Sequence, residues 1–208
     1  MKKALSINNI MNRKYETLPF TGEWREAFDE PERTGVWFIW GASGSGKSTF
    51  ALQLCAELCK FGKVLYNSLE EGSSLPFRNR IEALKDIIDA RRFSVVSELE
   101  PELTDRLHRR RSADFVVIDS FQYFGLNYLE YKRFKEKHPN KLIIFISQAD
   151  GSRPAGRTAK SVLFDADMKI WVECHKAHSR GRFIGANGGV FTVWRNGAWK
   201  AWGEGDND

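Results

Sequence analysis

A glycine-rich segment between an apolar run and an amphipathic run carries the clearest chemistry in this sequence. The segment consists of Gly41, Ala42, Ser43, Gly44, Ser45, Gly46, Lys47, Ser48 and Thr49. The flanking runs, residues 36–40 and 50–55, supply the strand–loop–helix context of a phosphate-binding P-loop. Glycines let the backbone approach a ligand, and helix N-termini favour anions. Lys47 is expected to reach the β- and γ-phosphates of a nucleotide, and Ser48 to bind Mg²⁺. The alternative is a Gly/Ser turn before a helix.

A carboxylate ends another apolar run, residues 115–118. In open parallel sheets, ligands bind at the carboxyl ends of the strands. Asp119 is therefore expected at the same sheet edge as the glycine loop, where it would hold Mg²⁺ together with Ser48. The alternative for Asp119 is a cap on the helix that follows.

Two further polar positions complete a set suited to hydrolysis. Glu70 and Glu71 follow the second predicted strand, and one of them can activate a water molecule. The alternative is a solvated acidic loop. Gln148 follows the apolar run 142–146 and can bond to the γ-phosphate or to the attacking water, although a plain strand terminus is equally compatible with the pattern. The expected catalytic residues are Lys47, Glu70, Asp119 and Gln148.

The composition is that of a single globular domain. The chain has 208 residues and a net charge of +5, which suits a polyanionic partner without requiring one. Cys55 and Cys59 lie one helical turn apart and could hold a metal, but no other Cys or His stands at ligand spacing nearby. We expect them to be core residues. With Cys174 alone elsewhere, nothing indicates a disulfide framework, and a reducing compartment is expected.

No segment of the sequence predicts an association with a membrane. The start, Met1-Lys2-Lys3, is typical of a signal peptide, but polar residues follow too soon for an apolar core. No apolar run approaches the roughly 20 residues that a membrane-spanning helix needs. A cytoplasmic protein without a membrane partner is expected.

Short apolar runs alternate with helical patterns from residue 36 onward. Strands are predicted at 36–40, 63–67, 93–97, 115–119 and 142–147. Helices are predicted at 47–60, 75–91, 100–111 and 127–138. This alternation predicts an α/β fold with a mainly parallel central sheet and helices on both faces. The runs 115–118 and 142–146 are continuously apolar, as central parallel strands are.

The pattern changes after Gln148. Alternating segments at 169–173, 182–184, 190–194 and 199–202 are separated by the turns Asn187-Gly188-Gly189 and Asn196-Gly197, which predicts a C-terminal antiparallel β-meander. Before the core, a short helix is predicted around Trp24, Ala27 and Phe28. The predicted divisions are a leader that packs on the domain or on a neighbour (1–34), the core (35–202) and an acidic disordered tail (203–208).

Four segments together resemble RecA-like ATPases. They are Lys47-Ser48-Thr49, Ser68-Leu69-Glu70, Val117-Ile118-Asp119-Ser120 with Gln122, and Ser147-Gln148. The likeness covers roughly residues 18–195 and is strongest to the RadA recombination proteins and the ATPase core of hexameric replicative helicases. It implies ATP and Mg²⁺ at the site, and a further strand between the P-loop strand and the Asp119 strand. It also implies that Glu70 is the catalytic carboxylate, with Glu71 as the alternative. Without the extra domains of those relatives, a small phage or mobile-element protein is expected.

The resemblance also implies self-association. RecA-like proteins form rings or filaments with ATP at the subunit boundary, where a neighbour supplies a cation to the transition state. The late basic hairpin offers Lys176, Arg180 and Arg182 as candidates for this trans-acting cation. Its spacing departs from the family pattern, and the alternative is a solvated hairpin.

The same resemblance places DNA contacts in the loops that follow the Asp119 and Gln148 strands. The second loop, 150–161, carries Arg153, Arg157 and Lys160 among glycines, which suits contact with the phosphates of single-stranded DNA. The first loop, 123–128, offers aromatic residues for base stacking, although core packing explains them at least as well.

Two functions are therefore expected from the sequence. The first is an ATPase that acts on DNA in recombination, repair or replication. The second is a RecA-like regulatory ATPase that works through protein partners without DNA. A small-molecule kinase is disfavoured, because Glu70 and Gln148 together suit the activation of water rather than transfer to a second substrate.

Overall fold

The computed structural model describes residues 4–202. Its strands are β1 (Gly35–Gly41), β2 (Val64–Ser68), β3 (Phe93–Val96), β4 (Phe115–Asp119), β5 (Leu142–Asp150), β6 (Arg153–Pro154), β7 (Met168–Glu173), β8 (Lys176–Gly181) and β9 (Gly189–Thr192). Its helices are α1 (Ile7–Met11), α2 (Gly22–Phe28), α3 (Lys47–Leu58), α4 (Leu75–Ala83), α5 (Glu100–His108), α6 (Phe121–Phe124), α7 (Tyr128–Lys137), α8 (Arg157–Asp165) and α9 (Arg195–Trp202).

One mainly parallel sheet organises the molecule. Its strand order is β3-β2-β4-β5-β1-β7-β8-β9, with β6 paired to β5 as a hairpin. Neighbouring strands from β3 to β7 in this order pair in parallel, whereas the β7–β8 and β8–β9 pairs are antiparallel. The predicted fold class is therefore confirmed. The strand β5 lies between β1 and β4, as the likeness to RecA-like proteins implies.

Both faces of the sheet are covered by apolar packing. Within β1, Trp37 and Ile39 point into one core, whereas Val36 and Phe38 point into the other, because successive side chains alternate across a strand. The first core includes residues of α2, α3 and α4, and the second includes residues of α5, α6, α7 and α8. The continuous apolar runs in the sequence therefore follow from burial on both faces.

The segment before β1 is partly built into the first core. Phe28 of α2 is fully buried, and Trp24 stacks on Phe191 of β9 with ring centroids 4.2 Å apart. Helix α1, in contrast, has no buried residue. The division into a leader and a core stays a prediction, and the predicted tail, residues 203–208, lies outside the described residues.

The predicted C-terminal antiparallel strands are present as β7, β8 and β9, but their boundaries differ from the prediction. The prediction placed a strand at 182–184, but β8 begins at Lys176, because Cys174 and His175 have φ values of 44° and 63° and form a tight two-residue turn after β7. The last predicted strand, 199–202, was wrong. Those residues belong to α9, whose start contains the predicted turn Asn196-Gly197.

Two predicted helices are longer than those observed. The helix predicted at 75–91 ends early, because α4 stops at Ala83. A turn then leads into β3, and in it the Asp89 side chain accepts the Arg91 N–H at 2.9 Å. The helix predicted at 100–111 is likewise shorter, because α5 stops at His108. Over residues 4–202, none of the helices has both the length and the apolar character to cross a bilayer.

Candidate functional site

The glycine loop joins the end of β1 to the start of α3. Gly44 and Gly46 have φ values of 75° and 101°, a left-handed backbone that favours glycine. The Lys47 ammonium donates a hydrogen bond of 2.7 Å to the Ala42 carbonyl and so lies folded over the loop. The Ser45 hydroxyl is buried without a hydrogen-bond partner in the described part of the chain. The loop therefore has the backbone geometry and the polar groups of a phosphate cradle.

Parallel strands bring the other predicted side chains to the same edge. Ser68 is level with Asp119 across β2 and β4, and Gly41 is level with Gln148 across β1 and β5. A cavity of about 490 Å³ opens at this edge. Its lining includes the predicted residues Ser43, Gly44, Gly46, Lys47, Ser48, Thr49, Glu70, Asp119 and Gln148, together with Glu71.

Asp119 is the buried carboxylate of this cavity. It accepts a hydrogen bond of 2.6 Å from the Tyr66 hydroxyl. Burial raises its pKa, and the Glu70 carboxylate adds to the rise, whereas Tyr66 and Lys47 oppose it. The pKa of Lys47 is lowered by burial, against the attraction of Asp119 and Glu70. A bound cation would relieve the repulsion between the two carboxylates.

The oxygen atoms around Asp119 suit Mg²⁺. The hydroxyls of Ser68 and Ser120 are buried beside it in the chain fold and have no hydrogen-bond partner within the described residues. Hydroxyl and carboxylate oxygens are the ligands that Mg²⁺ prefers, with water filling the remaining positions. The Ser48 hydroxyl lies in the same cavity. The donor set therefore fits the cation expected from the sequence.

The two neighbouring glutamates have different surroundings. The main-chain N–H groups of Leu69 and Glu70 donate to the Asp119 carbonyl at 2.6 and 3.1 Å, which fixes this segment against β4. The Glu71 carboxylate forms an ion pair with Arg80 of α4. The Glu70 side chain has no such ion pair in the described part of the chain and is exposed to the cavity. Glu70 is thus the freer of the two carboxylates.

Sequence reasoning missed three polar or aromatic side chains of this cavity, Arg80, His175 and Trp194. The Arg80 Nε is buried without a partner among the described residues, although the same guanidinium pairs with Glu71. An arginine nine residues after a glutamate is a weak sequence signal. It becomes meaningful only once α4 is seen to return to the cavity.

His175 and Trp194 form an aromatic end of the cavity. Their rings meet edge to face with centroids 5.0 Å apart, and Trp194 is 51% exposed. The main-chain N–H of His175 donates to the Ser45 carbonyl at 3.1 Å, which attaches the β7–β8 turn to the glycine loop. Both rings also line a second cavity, of about 800 Å³, on the other flank of the loop. No motif marks these residues in the sequence.

The three candidates for a trans-acting cation lie on β8 or just after it. Lys176 follows the turn beside the glycine loop, whereas Arg180 and Arg182 lie towards the opposite edge of the sheet, because β8 runs antiparallel to β7. Arg182 pairs with Asp167 at 2.7 Å. None of the three lines the cavity that contains Lys47 and Asp119.

The candidate DNA-contacting residues lie on ordered elements rather than on a loop. Arg153 belongs to β6, and Arg157 and Lys160 lie in the first turn of α8. The expected flexible loop over 150–161 is thus a tight β5–β6 hairpin followed by a helix, because Ala149 and Asp150 pair with Pro154 and Arg153. Arg153 and Arg157 are exposed. The hairpin starts directly after Gln148.

Comparisons with known proteins agree with this geometry. Residues 32–127 match the family model described as AAA domain, a range that holds the glycine loop, Glu70 and Asp119. Two solved structures share the architecture. The flagellar accessory protein FlaH from Methanocaldococcus jannaschii is 16% identical with a TM-score of 0.54, covering 77% of this chain and 85% of its own. A KaiC-like protein from Pyrococcus horikoshii OT3 is 17% identical with a TM-score of 0.55, covering 86% and 99%.

The chain shares the α/β fold of these two structures, with a mainly parallel central sheet and antiparallel C-terminal strands. At these identities the two structures bear on the fold alone, so the finer likeness to RadA proteins or replicative helicases stays a prediction. A search of curated proteins finds no match.

Proposed function

We propose that this RecA-like chain is a Mg²⁺-dependent ATPase that acts on single-stranded DNA in recombination, repair or replication. The observation that carries the ATPase is the convergence of Lys47, Glu70, Asp119 and Gln148 on one cavity beside the glycine loop. A cation, two carboxylates and an amide at the carboxyl edge of a parallel sheet supply what phosphoryl transfer to water requires.

Each of these residues has a separate task in the proposed reaction. The loop amides and Lys47 hold the phosphates, for which the Lys47 ammonium must leave the Ala42 carbonyl. Ser48 and Asp119 hold Mg²⁺, which when bound neutralises charge on the phosphates. Glu70 accepts a proton from the attacking water, and Gln148 orients that water or the γ-phosphate.

The aromatic end of the cavity is the proposed site of the nucleobase. Glu70 follows β2 and Asp119 ends β4, whereas His175 follows β7, so β5 and β1 separate the carboxylates from the aromatic end. A nucleotide is charged at its phosphates and aromatic at its base, so the different chemistry of the two ends of the cavity would orient the nucleotide. The exposed Trp194 ring can stack on a base, a contact worth about 1–3 kcal/mol.

Assembly is part of the proposal, because a trans-acting cation belongs to a neighbour's site. In a head-to-tail assembly the contacting surfaces differ, so this cation has to lie away from its own glycine loop. Arg180 and Arg182 meet that condition better than Lys176 does. Since Arg182 is paired with Asp167, we favour Arg180 as the first candidate.

The DNA part of the proposal is supported by the hairpin after Gln148. Arg153 and Arg157 are exposed there, and neither has an ion pair within the described residues. Arginines on a surface that continues from the nucleotide cavity suit contact with phosphates without sequence readout. Lys160 lies in the same first turn of α8 as Arg157.

An ATPase assay with and without single-stranded DNA tests both parts. The parent is expected to hydrolyse ATP with Mg²⁺ and to accelerate with DNA, and Lys47→Ala is expected to lose nucleotide binding or turnover. Unchanged affinity and turnover in Lys47→Ala would refute the ATPase assignment. Hydrolysis without DNA binding or stimulation would favour the alternative, a regulatory ATPase that works through protein partners.

A further inference from the structure

The Gln122 side chain joins two backbone segments at the end of β5. Gln122 lies in α6, just after Asp119. Its amide nitrogen donates to the Ser147 hydroxyl at 2.8 Å and to the Ala155 carbonyl at 3.0 Å, and its oxygen accepts the Gln148 N–H at 3.2 Å. A primary amide offers two donors and an acceptor on one planar group, so this position uses its full geometry.

These bonds enclose the main chain of Gln148. Its N–H donates to Gln122, and its carbonyl accepts the Ala155 N–H at 2.8 Å and the Ser147 hydroxyl at 2.9 Å. The Gln148 residue also lines the cavity with Lys47 and Asp119. The main chain of a cavity residue is therefore held by the same amide that holds Ala155.

The hairpin reached by Gln122 has few other hydrogen bonds to the rest of the molecule. Residues 149–155 form it, with ladder pairs Ala149–Pro154 and Asp150–Arg153. At the tip, the Trp40 indole N–H donates to the Ser152 carbonyl at 3.0 Å. Short hairpins that rest on a few hydrogen bonds open locally at low free energy, so the loss or movement of one bond changes how often they open.

We infer that Gln122 is a positioning residue that couples the nucleotide-facing Gln148 to the hairpin 149–155. The inference rests on the proposed binding of nucleotide but not on the binding of DNA. A phosphate that attracts the Gln148 side chain displaces its main chain, and Gln122 and Ala155 share hydrogen bonds with that main chain. If nucleotide binds one arrangement of Gln148 more tightly than the other, it therefore shifts how often the hairpin opens, and the size of the shift follows from that difference in affinity.

Hydrogen–deuterium exchange of peptides covering 149–155 tests the coupling. The full chain is compared with and without Mg²⁺ and a non-hydrolysable ATP analogue, and the readout is the ratio of the two exchange rates. In the parent we expect the two exchange rates to differ by about fivefold, the factor by which one hydrogen bond changes the equilibrium of a local opening. If the role of Gln122 were merely structural, its replacement would change both exchange rates equally and leave their ratio unaltered.

Gln122→Glu is the discriminating variant, because it keeps the length and the acceptor but loses both donors. We expect its ratio to fall close to one, while affinity for the analogue stays near that of the parent. Gln122→Met, neutral and of similar length, should show the same loss if the half-buried carboxylate prevents folding. Ser112→Ala is the matched control, since the Ser112 hydroxyl is a half-buried bridge at the opposite sheet edge, donating to the Leu107 carbonyl at 2.7 Å.

Two outcomes overturn the inference alone. One is a parent that binds the analogue without any change in the exchange of 149–155. The other is a folded Gln122→Glu or Gln122→Met protein that retains the parental ratio. A parent that does not bind the analogue would overturn the proposed function and this inference with it.

Discussion

At the scale of single residues, the surroundings of Glu70 and Glu71 decide between two adjacent carboxylates. A group that accepts a proton from water needs a free carboxylate close to the reacting atoms. The Glu71 carboxylate is held by Arg80, whereas Glu70 is close enough to Lys47 and Asp119 to affect the pKa values of both. The ion pair therefore supports Glu70 in a way that the sequence pattern could not.

The first prediction concerns this pair. Glu70→Gln should retain bound ATP but slow hydrolysis by about 10²-fold or more, in line with the loss of a general base. Glu71→Gln should have a smaller effect on turnover, because its main loss is the ion pair with Arg80. Single-turnover hydrolysis with matched nucleotide-binding measurements distinguishes the two. A larger loss of turnover in Glu71→Gln would reverse the assignment.

The second prediction concerns the aromatic end of the cavity. Trp194→Ala should weaken ATP binding by about tenfold, the value of one base–aromatic stack. Binding of inorganic triphosphate should remain unchanged, because it has no base. Calorimetric titration with both ligands measures the difference.

Trp199→Ala is the matched control for this experiment. Trp199 is similarly exposed at 53% and lies on α9, but it lines neither cavity beside the glycine loop. Equal losses for ATP and triphosphate in Trp194→Ala would mean that the ring supports the loop rather than the base.

At the scale of elements, the hairpin β5–β6 and α8 replace the flexible loop that the sequence indicated. Arg153 and Arg157 are thereby fixed on β6 and α8, the two elements that follow the Gln148 strand. Cations on ordered elements lose less conformational freedom when they bind a phosphate chain than cations on a mobile loop do. The candidate DNA surface is accordingly more pre-organised than expected.

The third prediction tests this surface. Replacing Arg153, Arg157 and Lys160 by Gln should weaken binding to single-stranded DNA of every sequence alike. Each lost phosphate contact should lower the log–log salt slope by about 0.7. Fluorescence anisotropy of labelled oligonucleotides over a salt series provides the slopes, and ATP binding should stay intact.

Neutralising the exposed triplet Arg109, Arg110 and Arg111 provides a control with the same change of net charge. These residues follow α5 and precede β4, at the amino edge of the parallel strands and away from the cavity. If both triple variants lose the same affinity, the DNA binding reflects overall charge rather than this surface.

Much of the fold was predictable from the sequence because it rests on local patterns. The strand positions around Val36, Phe115 and Leu142 follow from apolar runs, and parallel strands by themselves bring Asp119 and Gln148 to the edge where the glycine loop lies. The turn at Cys174 was not predictable, because positive φ is uncommon outside glycine and a Cys-His pair is not one of the sequence signals of a tight two-residue turn. Arg80 and Trp194 reach the cavity from distant segments, which no local pattern encodes.

At the scale of the whole molecule, the proposed trans-acting role of Arg180 requires a site that is shared between two copies. Arg180 is exposed on β8 and lies away from the cavity of its own chain. A single copy would therefore hold the residues that bind nucleotide but not the proposed cation at the transferred phosphate. The proposal therefore predicts activity that depends on association.

The fourth prediction is that specific activity rises with protein concentration and can be restored by mixing. Arg180→Ala and Glu70→Gln should each be nearly inactive alone. Mixed assemblies contain sites with an intact Glu70 from one copy and an intact Arg180 from its neighbour. Random mixing should restore about a quarter of the parental sites in a head-to-tail assembly.

Repeating the mixture with Arg182→Ala and with Lys176→Ala shows which cation acts in trans. A monodisperse monomer whose rate per molecule is independent of concentration would rule out the shared site.

The packing of α2 against β9 has a consequence for the way the chain folds during synthesis. Phe28 and Trp24 contact Phe191, so an early segment and a late strand complete the same core. Gly189 lies so close to the Ala27 carbonyl that a Cβ there would collide with it. While the ribosome is still producing the middle of the chain, the aromatic face of α2 has no strand to cover it. Nascent chains stalled before β9 should therefore recruit holdase chaperones more strongly than chains stalled after it.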